Sequence, residues 1–283
     1  MIKFNFHEVK LEQFGDGTLK CKTVEPNWFK YEIPEGLKKA GVPDEIIDPP
    51  TITWAYDNDA ELFALCCLVD DLREKWPHLT KDLVLVLPYI PHARQDRNVS
   101  DRMFTLKTFA KIINSLNFIC VIVLDPHSDV STALIDRVQV DPLWDHKRVP
   151  FASRFDAVMF PDAGAAKKYS NLDFGDKPII IGNKHRNKEG RIESYDLMNF
   201  PEGGNTTWVV IYDDICSYGG TFVEAAKALK EKGVEYLALV VSHCENNILK
   251  GEVFDYFDEV YTTDSICTIE HPKLEIWKQY RDI

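Results

Sequence analysis

Two aspartates, Asp213 and Asp214, end the apolar run WVVIYDD (208–214), and the small loop Ser217-Tyr218-Gly219-Gly220-Thr221 follows before a helix-like segment. A glycine-bearing loop at a helix N-terminus can offer successive backbone N–H groups to a phosphate. Gly219 and Gly220 permit close backbone approach, and the Thr221 hydroxyl can add a bond. Adjacent carboxylates can accept hydrogen bonds from the two hydroxyls of a ribose or hold a hydrated Mg²⁺. The stretch therefore suits a 5-phosphorylated ribose, with the phosphate in the loop and the hydroxyls on the acids. Taken alone it also fits an ordinary tight strand–helix turn with two solvated aspartates.

A second group of charges lies upstream, in NKHRNKEGR (183–191). It has no apolar period, and composition alone makes it a solvated basic loop. Two cationic side chains on a closing loop could equally stabilise charge that develops on transferring phosphoryl oxygens.

The elements that position these residues follow from hydrophobic pattern. ITWAY (52–56), LVLVL (83–87), FICVIVL (118–124), FDAVMF (155–160), PIIIG (178–182), WVVIYDD (208–214) and YLALVVS (236–242) read as strands. Between them, 59–76 places Leu62, Leu65, Cys66, Val69 and Trp76 on one helical stripe. A second helix carries Leu106, Phe109, Ala110, Ile113 and Leu116, and a third carries Phe222, Ala225, Ala226 and Leu229, with Gly233 as its stop. Continuous apolar strands alternating with helices predict mostly parallel sheets covered on both faces. The fold class is α/β, in two halves divided at 145/146: residues 1–145 and 146–283. Ligands of such sheets bind beyond the carboxyl ends of the strands, where the polar loops lie. Residues 1–50, with short alternating runs such as Phe29 to Ile33, read as strands and turns.

Composition removes several function classes. The net charge is −12, from 45 acidic and 33 basic residues, which is a poor match to nucleic acid. No run approaches the roughly 18 apolar residues of a membrane helix. MIKFNFHEVKLEQF lacks the apolar core of a signal peptide, so a cytoplasmic protein is expected. Seven cysteines without C-x-x-C predict free thiols, mostly buried. Walker A and G-x-G-x-x-G motifs are both absent.

The segment 208–222 resembles the phosphoribosyl-diphosphate binding motif of phosphoribosyltransferases and ribose-phosphate diphosphokinases (PRPP synthetases). LPYIPHARQDR (87–97) is similar to the diphosphokinase segment built around P-Y-x-R-Q-D, and VLDPHSD (123–129) to its D-L-H segment. MFPDAGAAKK (159–168) is similar to its P-D-A-G-x-A-K segment, and NKHR (183–186) falls where that family carries Lys-x-Arg. The five matches occur in the family's order over residues 52–250.

The resemblance implies two phosphoribosyltransferase-like domains, an ATP side and then a ribose-phosphate side. The implied reaction moves the β,γ-diphosphate of Mg-ATP to the anomeric hydroxyl of ribose 5-phosphate and releases AMP. By match, Lys184 and Arg186 would be the catalytic pair on a mobile loop. Arg94, Gln95 and Asp96 would hold ATP, and His127 and Asp162 would contact Mg²⁺. Asp213, Asp214, Ser217, Tyr218, Gly219, Gly220 and Thr221 would hold the ribose phosphate. The family also implies a homo-oligomer.

Three departures stand out. Residues 20–50 hold no clear counterpart of the family's F-S-N-Q-E segment. WAYDNDAE (54–61) lacks the glycines of the family's first loop. Ser217 and Tyr218 replace an Asp-Thr pair. A tyrosine there could stack on something larger than ribose 5-phosphate. Divergent members of the family act on ADP-ribose in NAD⁺ rebuilding, which makes ADP-ribose 1-diphosphate the alternative product. A phosphoribosyltransferase would share 208–222 without needing 87–97, and a regulatory homologue would not need Lys184, Arg186, His127 and Asp162.

Overall fold

A computed structural model describes residues 1–25, 49–99, 101–141, 154–186, 192–203 and 206–281, without the side chains of residues 186, 192 and 193. The expected strand near Phe29 to Ile33 and the expected division at 145/146 lie outside the described residues. The chain forms two compact units, Met1–Asp141 with Tyr280–Ile283, and Pro142–Gln279.

In the first unit, β1 (Ile2–Phe4), β2 (His7–Glu8), β5 (Thr51–Trp54), β6 (Val84–Leu87), β7 (Cys120–Leu124) and β8 (Val138–Asp141) form one sheet in the order β2-β1-β5-β6-β7-β8. The strands β5 to β8 are parallel, whereas β1 runs antiparallel to both β5 and β2. A separate hairpin joins β3 (Leu11–Gln13) and β4 (Leu19–Cys21). Helix α1 (Ala60–Lys75) buries Ala64, Leu65, Leu68, Val69 and Leu72, so the i, i+3, i+4 stripe is the face that meets the sheet. Cys66, Leu62 and Trp76 lie at its margin, partly buried. Helix α2 (Thr105–Ser115) buries Leu106, Phe109, Ala110 and Ile113 by the same rule. A short helix, α3 (Asp129–Leu134), follows β7.

In the second unit, β9 (Ala157–Phe160), β10 (Ile179–Arg186), β11 (Ile192–Met198), β12 (Trp208–Cys216), β13 (Tyr236–Cys244), β14 (Glu259–Thr263) and β15 (Leu274–Trp277) form a sheet in the order β11-β10-β9-β12-β13-β14-β15. All pairs are parallel except β10 with β11. Alternate residues of each central strand enter different cores. Met159, Val209, Ile211, Leu237 and Leu239 pack with Phe222, Ala225, Ala226 and Leu229 of α5 (Gly220–Glu231). Val158, Phe160, Val210, Tyr212 and Val240 pack with Ala165 and Tyr169 at α4 (Ala163–Lys168). Burial on both faces is why these strands read as unbroken apolar runs.

From β9 the chain moves to β10 on one side and returns to β12 on the other. The carboxyl ends of β9 and β12 therefore flank a topological switch point, where an open parallel sheet leaves a crevice. Asp162 follows β9, and Asp213 lies in β12 two residues beyond Ile211, the last residue paired with β9.

Two differences from the sequence reading matter for function. Residues 183–186 were expected in a mobile loop, but they extend strand β10, and IESYDLM forms its antiparallel partner β11. The hairpin tip, 187–191, lies outside the described residues. The C-terminal elements after Cys244, namely a 3₁₀ turn (Asn246–Lys250), α6 (Val253–Tyr256), β14 and β15, carry no period long enough to read.

Candidate active site

In the second unit, a turn follows β12, and the β10–β11 hairpin reaches Pro161 and Asp162 just after β9. The turn is held mainly by backbone. Gly219 adopts φ +78°, a left-handed conformation that glycine takes without steric penalty. A Cβ there would collide with the Val253 side chain. Gly251 passes beneath the Tyr218 carbonyl so closely that a Cβ would overlap it. The Glu245 N–H donates to the Cys216 O at 2.8 Å, and the Glu245 carboxylate accepts from the Ser217 hydroxyl. The segment after β13 thus shapes the loop from behind. Helix α5 starts at Gly220, so its first backbone N–H groups open at this loop. Tyr218 is 54% exposed.

The two aspartates do different things. Asp214 is buried and accepts from Lys168 Nζ at 3.0 Å. Asp213 is partly buried and accepts from the Asp214 N–H at 2.9 Å. Burial, then the neighbouring Asp214 and to a lesser degree Asp162, push the Asp213 carboxyl up to about 7, against the pull of the Asp214 N–H and Lys168. The sequence reading assigned both carboxylates one role; the structure pairs one with lysine and leaves the other electrostatically strained.

Asp162 caps α4, accepting from the Ala165 N–H at 3.0 Å, and accepts from Lys184 Nζ at 2.7 Å. Burial alone would raise its carboxyl, but Lys184 and the Ala165 and Gly164 N–H groups hold it below its ordinary value. Lys184 reaches Asp162 because β10 and β11 pair with Lys184 opposite Tyr195. The other face of the hairpin is exposed and polar: His185 Nε2 lies 3.1 Å from Asp196 Oδ2. A register shift between His185 and Arg186 ends the regular ladder, and the Arg186 side chain lies outside the described residues.

The residues expected on the ATP side lie in the first unit. Arg94 and Gln95 are exposed, and Gln95 Oε1 accepts from the Thr105 hydroxyl at 2.6 Å. Asp96 is buried and accepts from Arg97 Nε at 2.9 Å, and this bond holds its carboxyl below the usual value. His127 follows β7 in the first unit, whereas Asp162 belongs to the second.

Sequence reasoning missed Lys168, Tyr195, Gly182 and Glu245. Tyr195 and Leu197 carried a signal, an alternation of inward side chains along IESYDLM, hidden by the polar residues between them.

Among the described residues, no group of three or more His, Cys, Asp or Glu side chains forms a metal cage. Mg²⁺ typically takes one or two carboxylates together with water and substrate phosphates. Asp213 and Asp162 fit that need: both are hard oxygen donors, and a cation would relieve the charge crowding that raises Asp213. No helix among the described residues is long and apolar enough to cross a membrane. The seven cysteines are free, with Cys216, Cys244 and Cys267 buried.

No family model matches the chain. A ribose-phosphate pyrophosphokinase from a Marinomonas species is 31% identical over 228 residues, covering 76% of this chain and 69% of its own. One from Helicobacter pylori is 30% identical over 239 residues, covering 80% and 71%. A phosphoribosylpyrophosphate synthetase structure from Mycobacterium smegmatis matches with a TM-score of 0.66 at 18% identity, covering 96% of this chain and 86% of that one.

Proposed function

The chain belongs to the ribose-phosphate pyrophosphokinase family, and we propose that it transfers the β,γ-diphosphate of Mg-ATP to the anomeric hydroxyl of ribose 5-phosphate. The hydroxyl oxygen bonds to Pβ, the bond from Pβ to the oxygen bridging it to Pα breaks, AMP leaves, and the hydroxyl proton passes to solvent. One observation carries the reading. Lys184 pairs with Asp162, whose charge reaches Asp213 across the switch point of one sheet, and the Gly219–Thr221 turn follows the strand that carries Asp213.

Each residue has a physical task in that reaction. The N–H groups opening α5 and the Thr221 hydroxyl would receive the 5-phosphate. Asp213 and Asp214 would accept from ribose hydroxyls, with Lys168 holding Asp214 in place. Lys184, and Arg186 from the end of β10, would meet charge developing on the diphosphate. Arg94, Gln95 and Asp96 of the first unit would hold ATP. Asp162 and Asp213 of the second unit would hold Mg²⁺, and His127, the other expected Mg²⁺ contact, belongs to the first unit. When bound, Mg²⁺ would neutralise phosphate charge so that an anionic acceptor can approach. Association into a homo-oligomer and a place in the cytoplasm belong to the same proposal.

A second acceptor is favoured by one observation. Tyr218 stands exposed in the phosphate turn, where its ring could stack on the adenosine of ADP-ribose. The deciding experiment incubates the protein with Mg-ATP and, separately, each acceptor. AMP is followed by chromatography and the new diphosphate by ³¹P NMR. AMP with ribose 5-phosphate supports the main reading, AMP only with ADP-ribose the second, and no AMP with either overturns both.

A further inference from the structure

The hairpin crosses the exit of β9 on two side chains. Tyr195 Oη donates to the Pro161 carbonyl at 2.7 Å, and Lys184 Nζ donates to Asp162, the next residue, at 2.7 Å. Lys184 and Tyr195 are direct partners in the β10–β11 ladder, so they share a face and their Cβ atoms lie about 5 Å apart. Gly182 is two residues before Lys184 and therefore on the same face. A Cβ on Gly182 would collide with Tyr195 Oη and come within 2.6 Å of the Pro161 O. The hydroxyl thus occupies space that the absence of a side chain at 182 leaves open.

We infer that Tyr195 is a positioning residue for Lys184, clamping the hairpin to the Pro161 carbonyl so that the lysine ammonium is delivered to the end of β9. The inference rests on the diphosphate-transfer reading for its catalytic consequence, but its geometry does not. A lysine has four rotatable bonds and little direction of its own; Arg, by contrast, carries a rigid fork. What directs it here is the strand beneath it, and the strand is fixed by the tyrosine opposite. Removing the hydroxyl leaves ring packing intact and frees the hairpin to shift. A displacement of about 1 Å at a positioned group can cost about a hundredfold in rate. The hydroxyl is a dependable donor, because burial and then the charges of Asp162 and Asp213 keep it protonated far above neutral pH.

The test is Tyr195→Phe in the full-length protein, with two readouts. In the kinetic one, kcat should fall about ten- to a hundredfold with both KM values unchanged. Lys184→Ala/Tyr195→Phe should be no slower than Lys184→Ala, since a residue acting through Lys184 has nothing left to act on. Losses that multiply, or a kcat within twofold of wild type, overturn the inference. The second readout needs no turnover. Lysines are ¹³C-dimethylated, and the Lys184 resonance is identified by its absence from Lys184→Arg. That resonance should move in Tyr195→Phe while the melting midpoint stays near wild type; an unmoved resonance overturns the clamp. If the wild-type protein releases no AMP with any acceptor, the functional reading fails, and the resonance alone decides whether Tyr195 positions Lys184.

Discussion

The turn after β12 and the hairpin of β10 and β11 serve the same strand ends but are fixed by different means. The turn is a matter of backbone: a left-handed glycine, a second glycine pressed under a carbonyl, and a helix beginning at once. Its determinants span only a few residues of chain, apart from the supporting segment 245–253. The hairpin is a matter of side chains meeting across long separations, Lys184 with Asp162 and Tyr195 with Pro161. Backbone constraint would suit a rigid receptor for the proposed 5-phosphate. Side-chain clamps give a lever whose charged end can exchange one anionic partner for another. A resting ion pair between Lys184 and Asp162, both side chains about a quarter to a third exposed, is weak enough to be exchanged.

The strongest way to break this contrast is Lys184→Ala. Loss of one group aimed at transition-state charge should lower kcat by about 10²–10³-fold. The melting midpoint should barely move, because a solvent-screened pair contributes at most about 1 kcal/mol. Steady-state kinetics beside thermal unfolding checks both; a large drop in stability would make the lysine a structural residue instead.

Gly219→Ala attacks the other side of the comparison and should reverse the pattern. A Cβ at φ +78° meets both backbone strain and the Val253 side chain. The loss should be about 1–2 kcal/mol of stability at least, seen as a lower urea midpoint. Affinity for the phosphorylated acceptor should weaken by about tenfold as the donors move. Normal stability in that variant would mean the turn tolerates another backbone path.

That division also explains what could be read beforehand. The parallel sheets, the helix stripes and the β12 turn were legible because each is written in local pattern: unbroken apolar runs, i, i+4 spacing, glycine before a helix. Lys184 was singled out by its place among motifs, yet its strand was not, since Asn183, His185 and Asp196 face water and mask the inward alternation of Tyr195 and Leu197. The unequal roles of Asp213 and Asp214 were equally hidden. Only the pairing of strands and the packing of α4 decide which carboxylate meets Lys168. The same holds after Cys244, where short elements owe their shape to neighbours rather than to their own period.

Asp213 offers a pH-dependent test that belongs to neither mode of fixation. Its folded-state carboxyl is raised from 3.8 to about 7. Between those values the folded protein keeps a proton that the unfolded chain has released. Its contribution is therefore fully present below about pH 4 and is lost as pH rises through about 7. Urea denaturation from pH 4 to 8 should show the wild type losing stability relative to Asp213→Asn across that window. A constant difference would mean that Asp213 is not crowded by its neighbours. Added Mg²⁺ should stabilise the wild type at pH 7 more than the asparagine variant, since a bound cation favours the ionised carboxylate.

Tyr218→Thr should have the smallest effect and discriminates most finely. Its ring is exposed and the turn is held by Gly219, Gly251 and Glu245, so stability should stay within about 0.5 kcal/mol of wild type. What can change is the acceptor. The tyrosine ring offers a stacking face worth about 1 kcal/mol to a second base. If the turn is shaped for ADP-ribose, the substitution should raise the ratio of kcat/KM for ribose 5-phosphate over ADP-ribose by roughly five- to tenfold. If ribose 5-phosphate is the acceptor, the ratio should stay within about twofold, because the ring then lies beyond everything the substrate presents. Competition between the two acceptors in a single reaction measures that ratio directly. A lowered ratio would contradict both readings and place the Tyr218 ring against ribose 5-phosphate itself.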